Sequence, residues 1–133
     1  MTDKLTVDQG REIGNAFVQA YYNIFDNGPR ENLSNFYVPD SETSQMSFEG
    51  NLVKGQQAIV EKLRNLSFQK VTRMITAVDT QTTVENGIMI YVIGRLQTDS
   101  DPAHSFTQSF YLRNSNNTWF ILNESFRLLV HNI

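Results

Sequence analysis

The stretch Ile88-Met89-Ile90-Tyr91-Val92-Ile93 is apolar at every position. A short continuous apolar run of this kind predicts a strand that is buried on both faces. Helices can cover only one face of a sheet in a chain of this size. We therefore expect a second copy of the chain to cover the other face, as a homodimer. A strand buried within a deep monomeric barrel is the alternative interpretation.

Three further β-rich runs accompany this stretch, at 71–78, 106–112 and 118–122. The segments between them are rich in Asn, Asp, Ser, Gly and Pro, which is typical of turns. Residues 44–54 read as two short strands joined by a tight turn at Glu49-Gly50-Asn51. Thr6 and Gln9 stand at capping-box spacing, and the apolar residues that follow at helical spacing predict a helix that ends at the breaker Asn27-Gly28-Pro29. A second, short helix is predicted to end at Pro39, and an amphipathic helix of about three turns is predicted after Gly55.

Helices followed by strands predict an α+β fold with an antiparallel sheet. Long strands with about three helices packed on one face would curve the sheet. We therefore expect a half-open sheet with a concave side, formed by a single domain over residues 1–133.

The composition excludes several classes of function. The chain has 133 residues and no cysteine, which removes disulfides, thiolate catalysis and cysteine–zinc sites. The formal charge is −3 and there is no basic run, so nucleic acid is a poor partner and a basic protein surface is a better one. Neither a signal peptide nor a membrane span is predicted.

Residues suited to catalysis are scarce. The two histidines are His104, expected in a hairpin turn after Asp101-Pro102, and His131, close to the end of the sequence. A cavity enzyme would need a carboxylate base or an Asp–His pair in its concave side. Asp79 could face inward, but no histidine in a strand interior is predicted to pair with it. We therefore expect no catalytic residue, no cofactor and no metal site.

Three acidic residues indicate a different role. Glu49 lies in an otherwise apolar turn, and Asp99 and Asp101 alternate before Pro102. In an extended segment, alternate residues point to the same side, and two like charges there favour a cation between them. A lysine or arginine of another protein would meet that requirement. A solvated acidic loop is the alternative interpretation.

Several blocks, taken together, resemble the nuclear transport factor 2 family. The resemblance is in order along nearly the whole chain, and its blocks are Phe17-Val18-Gln19-Ala20-Tyr21-Tyr22, Phe48-Glu49-Gly50, Ile59-Val60-Glu61-Lys62-Leu63, Gly94 to Pro102, and Asn123 to Leu128. The acidic Asp-x-Asp-Pro hairpin and the Phe-Glu-Gly turn are its most specific features.

The resemblance implies a fold and a set of partners. It implies a cone-shaped, half-open barrel that acts as a homodimeric carrier of the GDP form of the small GTPase Ran, not as an enzyme. Phe48 would lie beside a cavity that takes an aromatic side chain, and Glu49, Asp99 and Asp101 would meet basic residues at its rim. The implied location is the cytoplasm, the nucleus and the nuclear pore.

The family also binds Phe-rich repeats of nucleoporins, and here the sequence departs from its pattern. Members usually carry a groove aromatic at the position of Gly10, so Val7 would have to substitute, while Val71 matches another apolar groove position. Tyr91 and Ser125 are expected at the dimer interface, where Ser125 replaces a larger residue. A cavity enzyme of isomerase or dehydratase type and a paralogue with altered partners remain the alternatives.

Overall fold

The first helix, α1, begins with a capping box. In the computed structural model, which describes residues 4–130, α1 spans Val7–Asn27. The side chain of Thr6 accepts a hydrogen bond from the backbone N–H of Gln9, and the side chain of Gln9 accepts one from the N–H of Thr6. The helix ends before Gly28, at the predicted breaker.

The two remaining helices are short and pack on each other. The second is a 3₁₀ helix, Arg30–Phe36, and α2 spans Gln56–Arg64. α2 begins after Gly55, whose φ of 91° lies in the region that favours glycine.

Between residues 4 and 130, six strands form one curved sheet that does not close into a barrel, as predicted. They are β1 Gln45–Phe48, β2 Asn51–Lys54, β3 Val71–Thr82, β4 Ile88–Thr98, β5 His104–Ser115 and β6 Thr118–Leu129. Their order is β2-β1-β6-β5-β4-β3. The pairs are antiparallel except that β1 runs parallel to β6, a pairing that the sequence analysis did not predict.

The apolar stretch of β4 divides its residues between the two faces of the sheet. Ile88, Ile90 and Val92 are buried on the concave face, whereas Tyr91 and Ile93 are 41% and 48% exposed on the opposite, outer face. The chain alone therefore covers one face of this strand and leaves the other in contact with solvent.

The core lies between α1 and the concave face. Two glycines allow α1 to approach the sheet closely, because a Cβ at position 10 would lie 2.5 Å from Cγ2 of Thr82, and one at position 14 would lie 2.8 Å from Cγ2 of Thr80. The fully buried large side chains of the core include Tyr21, Leu33, Tyr37, Met46, Ile59, Ile90, Phe106, Phe110 and Ile121.

Candidate functional site

A mostly apolar cavity of about 200 Å³ opens on the concave side of the sheet. It lies between the inner face of β3–β6, the end of α1, α2 and the segment that leads into β3. The apolar part of its wall is formed by Phe25, Phe48, Leu63, Phe68, Val71, Leu96, Phe126 and Leu128. Phe48 stacks on Phe126 with a centroid distance of 5.0 Å, and Nζ of Lys62 lies 5.6 Å from the centroid of the Phe48 ring.

Glu49 lies at the edge of this cavity, in the two-residue turn between β1 and β2. Glu49 and Gly50 both have positive φ, 50° and 87°, which a type I′ hairpin requires and which favours Asn and Gly over Glu. One carboxylate oxygen, Oε1, accepts a hydrogen bond of 2.6 Å from the N–H of Leu128. The other oxygen has no hydrogen-bond partner among residues 4–130, and the residue is exposed.

Asp99 is held in a similar way on the loop between β4 and β5. Its Oδ1 accepts hydrogen bonds from the N–H groups of Gln69 (3.2 Å) and Lys70 (2.9 Å). Its own N–H donates to the carbonyl of Lys70 over 2.8 Å. The second oxygen, Oδ2, accepts no hydrogen bond from the described chain.

The expectation that Asp99 and Asp101 lie on one side of an extended segment is wrong. Asp99 has a φ of 50°, and the N–H of Asp101 donates to the carbonyl of Thr98, so the segment is a tight turn. Both residues are exposed, and Pro102 lines the cavity edge beside them. The turn, not strand alternation, sets the directions of the two side chains.

A buried polar network lines the deep part of the cavity, and the sequence analysis missed it. Glu124 of β6 accepts hydrogen bonds from the hydroxyls of Tyr21 (2.7 Å) and Tyr37 and from Nε2 of Gln108 (2.6 Å). Gln108 in turn accepts a bond of 2.7 Å from the hydroxyl of Tyr22. The network connects α1, the segment after the 3₁₀ helix, β5 and β6.

Burial dominates the electrostatics of this network. It raises the pKa of Glu124 above its ordinary value, and the three hydrogen-bond donors only partly oppose that effect. Burial and the neighbouring carboxylate also raise the pKa values of Tyr21 and Tyr37, so both hydroxyls stay protonated and act as donors.

A signal for the network was present in the sequence. Gln108 alternates with Phe106 and Phe110, and Glu124 lies two residues before Phe126. Strand alternation places such residues on the inner face.

A buried ion pair completes the wall on the α1 side. Nη2 of Arg73 lies 2.8 Å from Oδ1 of Asp26, and Nε donates to Oδ2 over 3.0 Å. The guanidinium carbon lies 4.0 Å from the centroid of Tyr22 and 5.1 Å from that of Phe106. Nη1 is buried without a hydrogen-bond partner in the described chain, among these aromatic rings.

The remaining titratable candidates do not assemble a catalytic pair. His104 is the first residue of β5 and lines the cavity, so its expected place in a turn is wrong; the hairpin is shorter than predicted. Asp79 is opposite Tyr91 on the outer face, so it does not face inward. His131 lies outside the described residues. Within the described range, no group of three His, Cys, Asp or Glu side chains is placed to hold a metal ion.

The residues expected to bind nucleoporin repeats do not meet within one chain. Gly10 is buried against Thr82 at one end of β3, and Val71 lines the cavity at the other end. Because β3 has 12 residues, its ends are roughly 35 Å apart. Val7 is 60% exposed in the first turn of α1.

The two residues expected at the dimer interface lie on the outer face. Tyr91 is opposite Ser109, and Ser109 is opposite Ser125, so the three form one row across β4, β5 and β6. Directly opposed residues share a face of the sheet. A depression of about 140 Å³ beside this row is lined by Met89, Ser109, Tyr111, Asn123 and Ser125, among others.

Comparison with known proteins identifies the class. A family model described as the nuclear transport factor 2 (NTF2) domain matches residues 13–128. A probable nuclear transport factor 2 of Caenorhabditis elegans is 42% identical over 125 residues, which cover 90% of this chain and 92% of the relative. The structure of nuclear transport factor 2 from Cryptosporidium parvum matches with a TM-score of 0.85 and 34% identity, covering 96% of this chain and 100% of that chain. The chain belongs to the nuclear transport factor 2 family.

This membership assigns the chain to nuclear transport rather than to catalysis, and it implies a nucleocytoplasmic protein. The fold also occurs in a putative dehydratase of Streptomyces avermitilis, with a TM-score of 0.81 at 14% identity over 95% of this chain and 100% of that chain. That likeness shows the fold alone. Neither α-helix of the described chain is long and apolar enough to cross a membrane.

The buried carboxyl group predicts a pH-dependent stability. Because the folded-state pKa of Glu124 is raised, the folded chain binds the proton more tightly than the unfolded chain does. This stabilisation is present at low pH and is lost as the pH rises through the folded-state pKa. In Glu124→Gln the contribution is absent, so the free energy of unfolding of the wild type relative to this variant should fall as the pH rises from 4 to 8.

Urea unfolding at a series of pH values measures this difference. Glu12→Gln, which changes an exposed carboxyl group of α1, is the control and should leave the pH dependence of the wild type unchanged. A constant free-energy difference between wild type and Glu124→Gln across the pH range would contradict the assignment.

Proposed function

We propose that this chain is a homodimeric carrier that binds the GDP form of the small GTPase Ran and takes it through the nuclear pore. The observation that carries the proposal is the apolar cavity with two carboxylates, Glu49 and Asp99, held at its edge by backbone N–H groups.

The size of the cavity suits one aromatic side chain. A dry cavity of about 150 Å³ is enough to bind benzene, and the cavity of this chain measures about 200 Å³. Its aromatic wall, with Phe48 stacked on Phe126, offers ring contacts to an inserted side chain. A buried aromatic anchor of this kind would supply most of the binding energy.

The edge of the cavity suits the cations of the partner. Glu49 and Asp99 each use one carboxylate oxygen to accept hydrogen bonds from backbone N–H groups elsewhere in the same chain. The position of each carboxylate is therefore set before the partner binds. The second oxygen of each remains open for a lysine or arginine. Asp101 adds a third negative charge on the same loop as Asp99. Charges in this arrangement orient the partner and accelerate the encounter.

Isosteric amides test the edge carboxylates without disturbing their turns. Asn at position 99 retains an acceptor for Gln69 and Lys70, and Gln at position 49 retains one for Leu128. Asp99→Asn and Glu49→Gln should each weaken binding of GDP-loaded Ran, by about 2–5 kcal/mol if the ion pair is desolvated in the complex. Glu49→Lys should abolish binding. Isothermal titration calorimetry measures all three.

The matched control is Glu12→Gln, which removes an exposed negative charge far from the cavity. Binding that is unchanged in Glu49→Lys would exclude Glu49 from the interface. If Glu12→Gln weakened binding of GDP-loaded Ran as much as Glu49→Gln and Asp99→Asn do, the effect would come from the net charge of the chain and not from the cavity edge.

The exposed apolar outer face supports the homodimer. Met74, Tyr91 and Ile93 are 69%, 41% and 48% exposed there, which leaves β4 covered on one side only. Ser109 and Ser125 are small residues on the same face, and with Tyr111 they line the depression there. A second copy of the sheet, with Tyr91 seated on these serines, would cover both.

The homodimer predicts a particle twice the chain mass of 15.3 kDa. Ser125→Arg, which places a long charged side chain beside Ser109 on the outer face, should convert the dimer to a monomer. Sedimentation equilibrium measures both masses. Val84→Arg, at an 83% exposed position in the β3–β4 hairpin, is the control and should remain dimeric. A wild-type mass near 15 kDa would contradict the dimer.

Binding of nucleoporin repeats is the third part of the proposal. Gly10 offers no side chain, so the exposed Val7 would supply the apolar contact near the start of α1. Val71 is in the cavity wall and would act in Ran binding instead. Immobilised Phe-x-Phe-Gly repeats should retain the wild type and lose Val7→Asp, while Leu52→Asp on β2 should still bind. Absence of any wild-type retention would remove repeat binding from the proposed function.

A further inference from the structure

Arg30 occupies a buried position behind the cavity wall. It is 9% exposed, and its guanidinium lies 5.1 Å from the ring centroid of Phe25 and 4.9 Å from that of Phe68. Both phenylalanines line the cavity, and Arg30 does not. Arg30 is therefore packed against the wall without reaching the interior.

The same guanidinium binds the backbone that leads into β3. Its Nη2 donates to the carbonyls of Phe68 (3.0 Å) and Gln69 (3.3 Å), and Nη1 donates to the carbonyl of Leu63 (3.5 Å). These bonds connect the end of α2 to the residues just before β3 and fix the segment between them.

Asp99 binds this segment from the opposite side. The N–H groups of Gln69 and Lys70 donate to its carboxylate, and the carbonyl of Lys70 accepts its N–H. Arg30 thus binds the carbonyl of Gln69, and Asp99 binds the N–H groups of Gln69 and Lys70. A displacement of this segment would move the carboxylate of Asp99 with it.

We propose that Arg30 is a positioning residue for the partner-binding carboxylate of Asp99. This inference rests on the proposed function in one respect, since the carboxylate matters for affinity only if it meets a cation of Ran. Arg30 itself is buried and is not among the residues that line the cavity. It acts through the backbone of Phe68 and Gln69, to which it donates. The charges of Asp26 and Asp99 also act on the guanidinium directly, and partly offset the lowering of the Arg30 pKa by burial.

The geometry requires arginine rather than lysine. A planar guanidinium donates to several carbonyls at once and packs between two rings, whereas an ammonium is a compact, strongly hydrated charge. Arg30→Lys keeps the charge and should fail to hold all three carbonyls. Its effect should therefore resemble that of Arg30→Gln in direction, which separates positioning from a simple effect of charge.

Glu49 provides an internal control, because it is positioned independently. Its carboxylate is bound by Leu128 of β6, on the β1–β2 side of the cavity, and has no contact with Arg30. Loss of Arg30 should reduce the contribution of Asp99 to the affinity for GDP-loaded Ran and leave the contribution of Glu49 unchanged.

A pair of double-mutant cycles tests this difference. We expect Arg30→Gln to raise the Kd for GDP-loaded Ran by about tenfold, within the range of coupling between neighbouring groups. Asp99→Asn should then cost much less in the Arg30→Gln background than in the wild type, whereas Glu49→Gln should cost the same in both. Full additivity of Arg30→Gln with Asp99→Asn would overturn the proposal. Both cycles are repeated with Arg30→Lys, which keeps the positive charge and also serves if Arg30→Gln does not fold, as judged by circular dichroism. Coupling to Asp99→Asn that is present with Arg30→Gln and absent with Arg30→Lys would show charge attraction alone and would overturn the proposal.

Hydrogen exchange in the free protein tests the positioning without any partner. In Arg30→Lys the amides of Gln69 and Lys70 should exchange about tenfold faster, because local opening sets their protection. The amide of Leu128, which binds Glu49, should be unchanged. Unaltered exchange at Gln69 and Lys70 would overturn the proposal. Faster exchange in a protein that does not bind Ran would instead refute the proposed function and leave the positioning role intact.

Discussion

The buried carboxyl group of Glu124 is the constraint on which the interior depends. A carboxyl group removed from water is costly unless hydrogen bonds satisfy it, and leaving a buried polar group unsatisfied typically costs about 1–3 kcal/mol. Here three donors come from separate parts of the chain: Tyr21 on α1, Tyr37 after the 3₁₀ helix and Gln108 on β5. Helix, connecting segment and sheet therefore have to meet at one point. The cavity is the space that remains beside that point.

The edge of the cavity is built on conformations that the residue types do not favour. Glu49 and Asp99 both adopt a φ of 50°. Left-handed backbone costs a residue other than glycine about 1–2 kcal/mol, and Asn or Gly would serve the turns better. Hydrogen bonds from Leu128, Gln69 and Lys70 offset this cost. Residues in such unfavourable conformations tend to mark functional sites. The turns themselves do not require a negative charge at these two positions, so the charge points to a functional role.

Local patterns predicted most of the fold. The Thr6–Gln9 capping box, the breaker at Asn27-Gly28-Pro29 and the strand at the apolar run of β4 each depend on neighbours in sequence, and each is confirmed. Burial of β4 on both faces stays a prediction, because the single chain covers only one face of that strand. The parallel pairing of β1 with β6 was missed because it joins residues 45–48 to residues 123–126, a long-range contact that no local pattern encodes.

The candidate site was less predictable than the fold. The Asp99–Asp101 spacing was interpreted as extended, whereas a positive φ at one residue changes the direction of both side chains. Glu124 and Gln108 were predictable in part, since strand alternation places them on the inner face. Their mutual hydrogen bonds, and the role of Arg30, depend on contacts that only the folded chain brings together.

The central claim is that the cavity and its two edge carboxylates bind one nucleotide state of a GTPase. Calorimetry of the wild-type chain with Ran loaded in turn with GDP and with a GTP analogue tests it most directly. We expect the chain to bind the GDP form and not the GTP-analogue form. Equal binding of the two forms, or binding of neither, would contradict it.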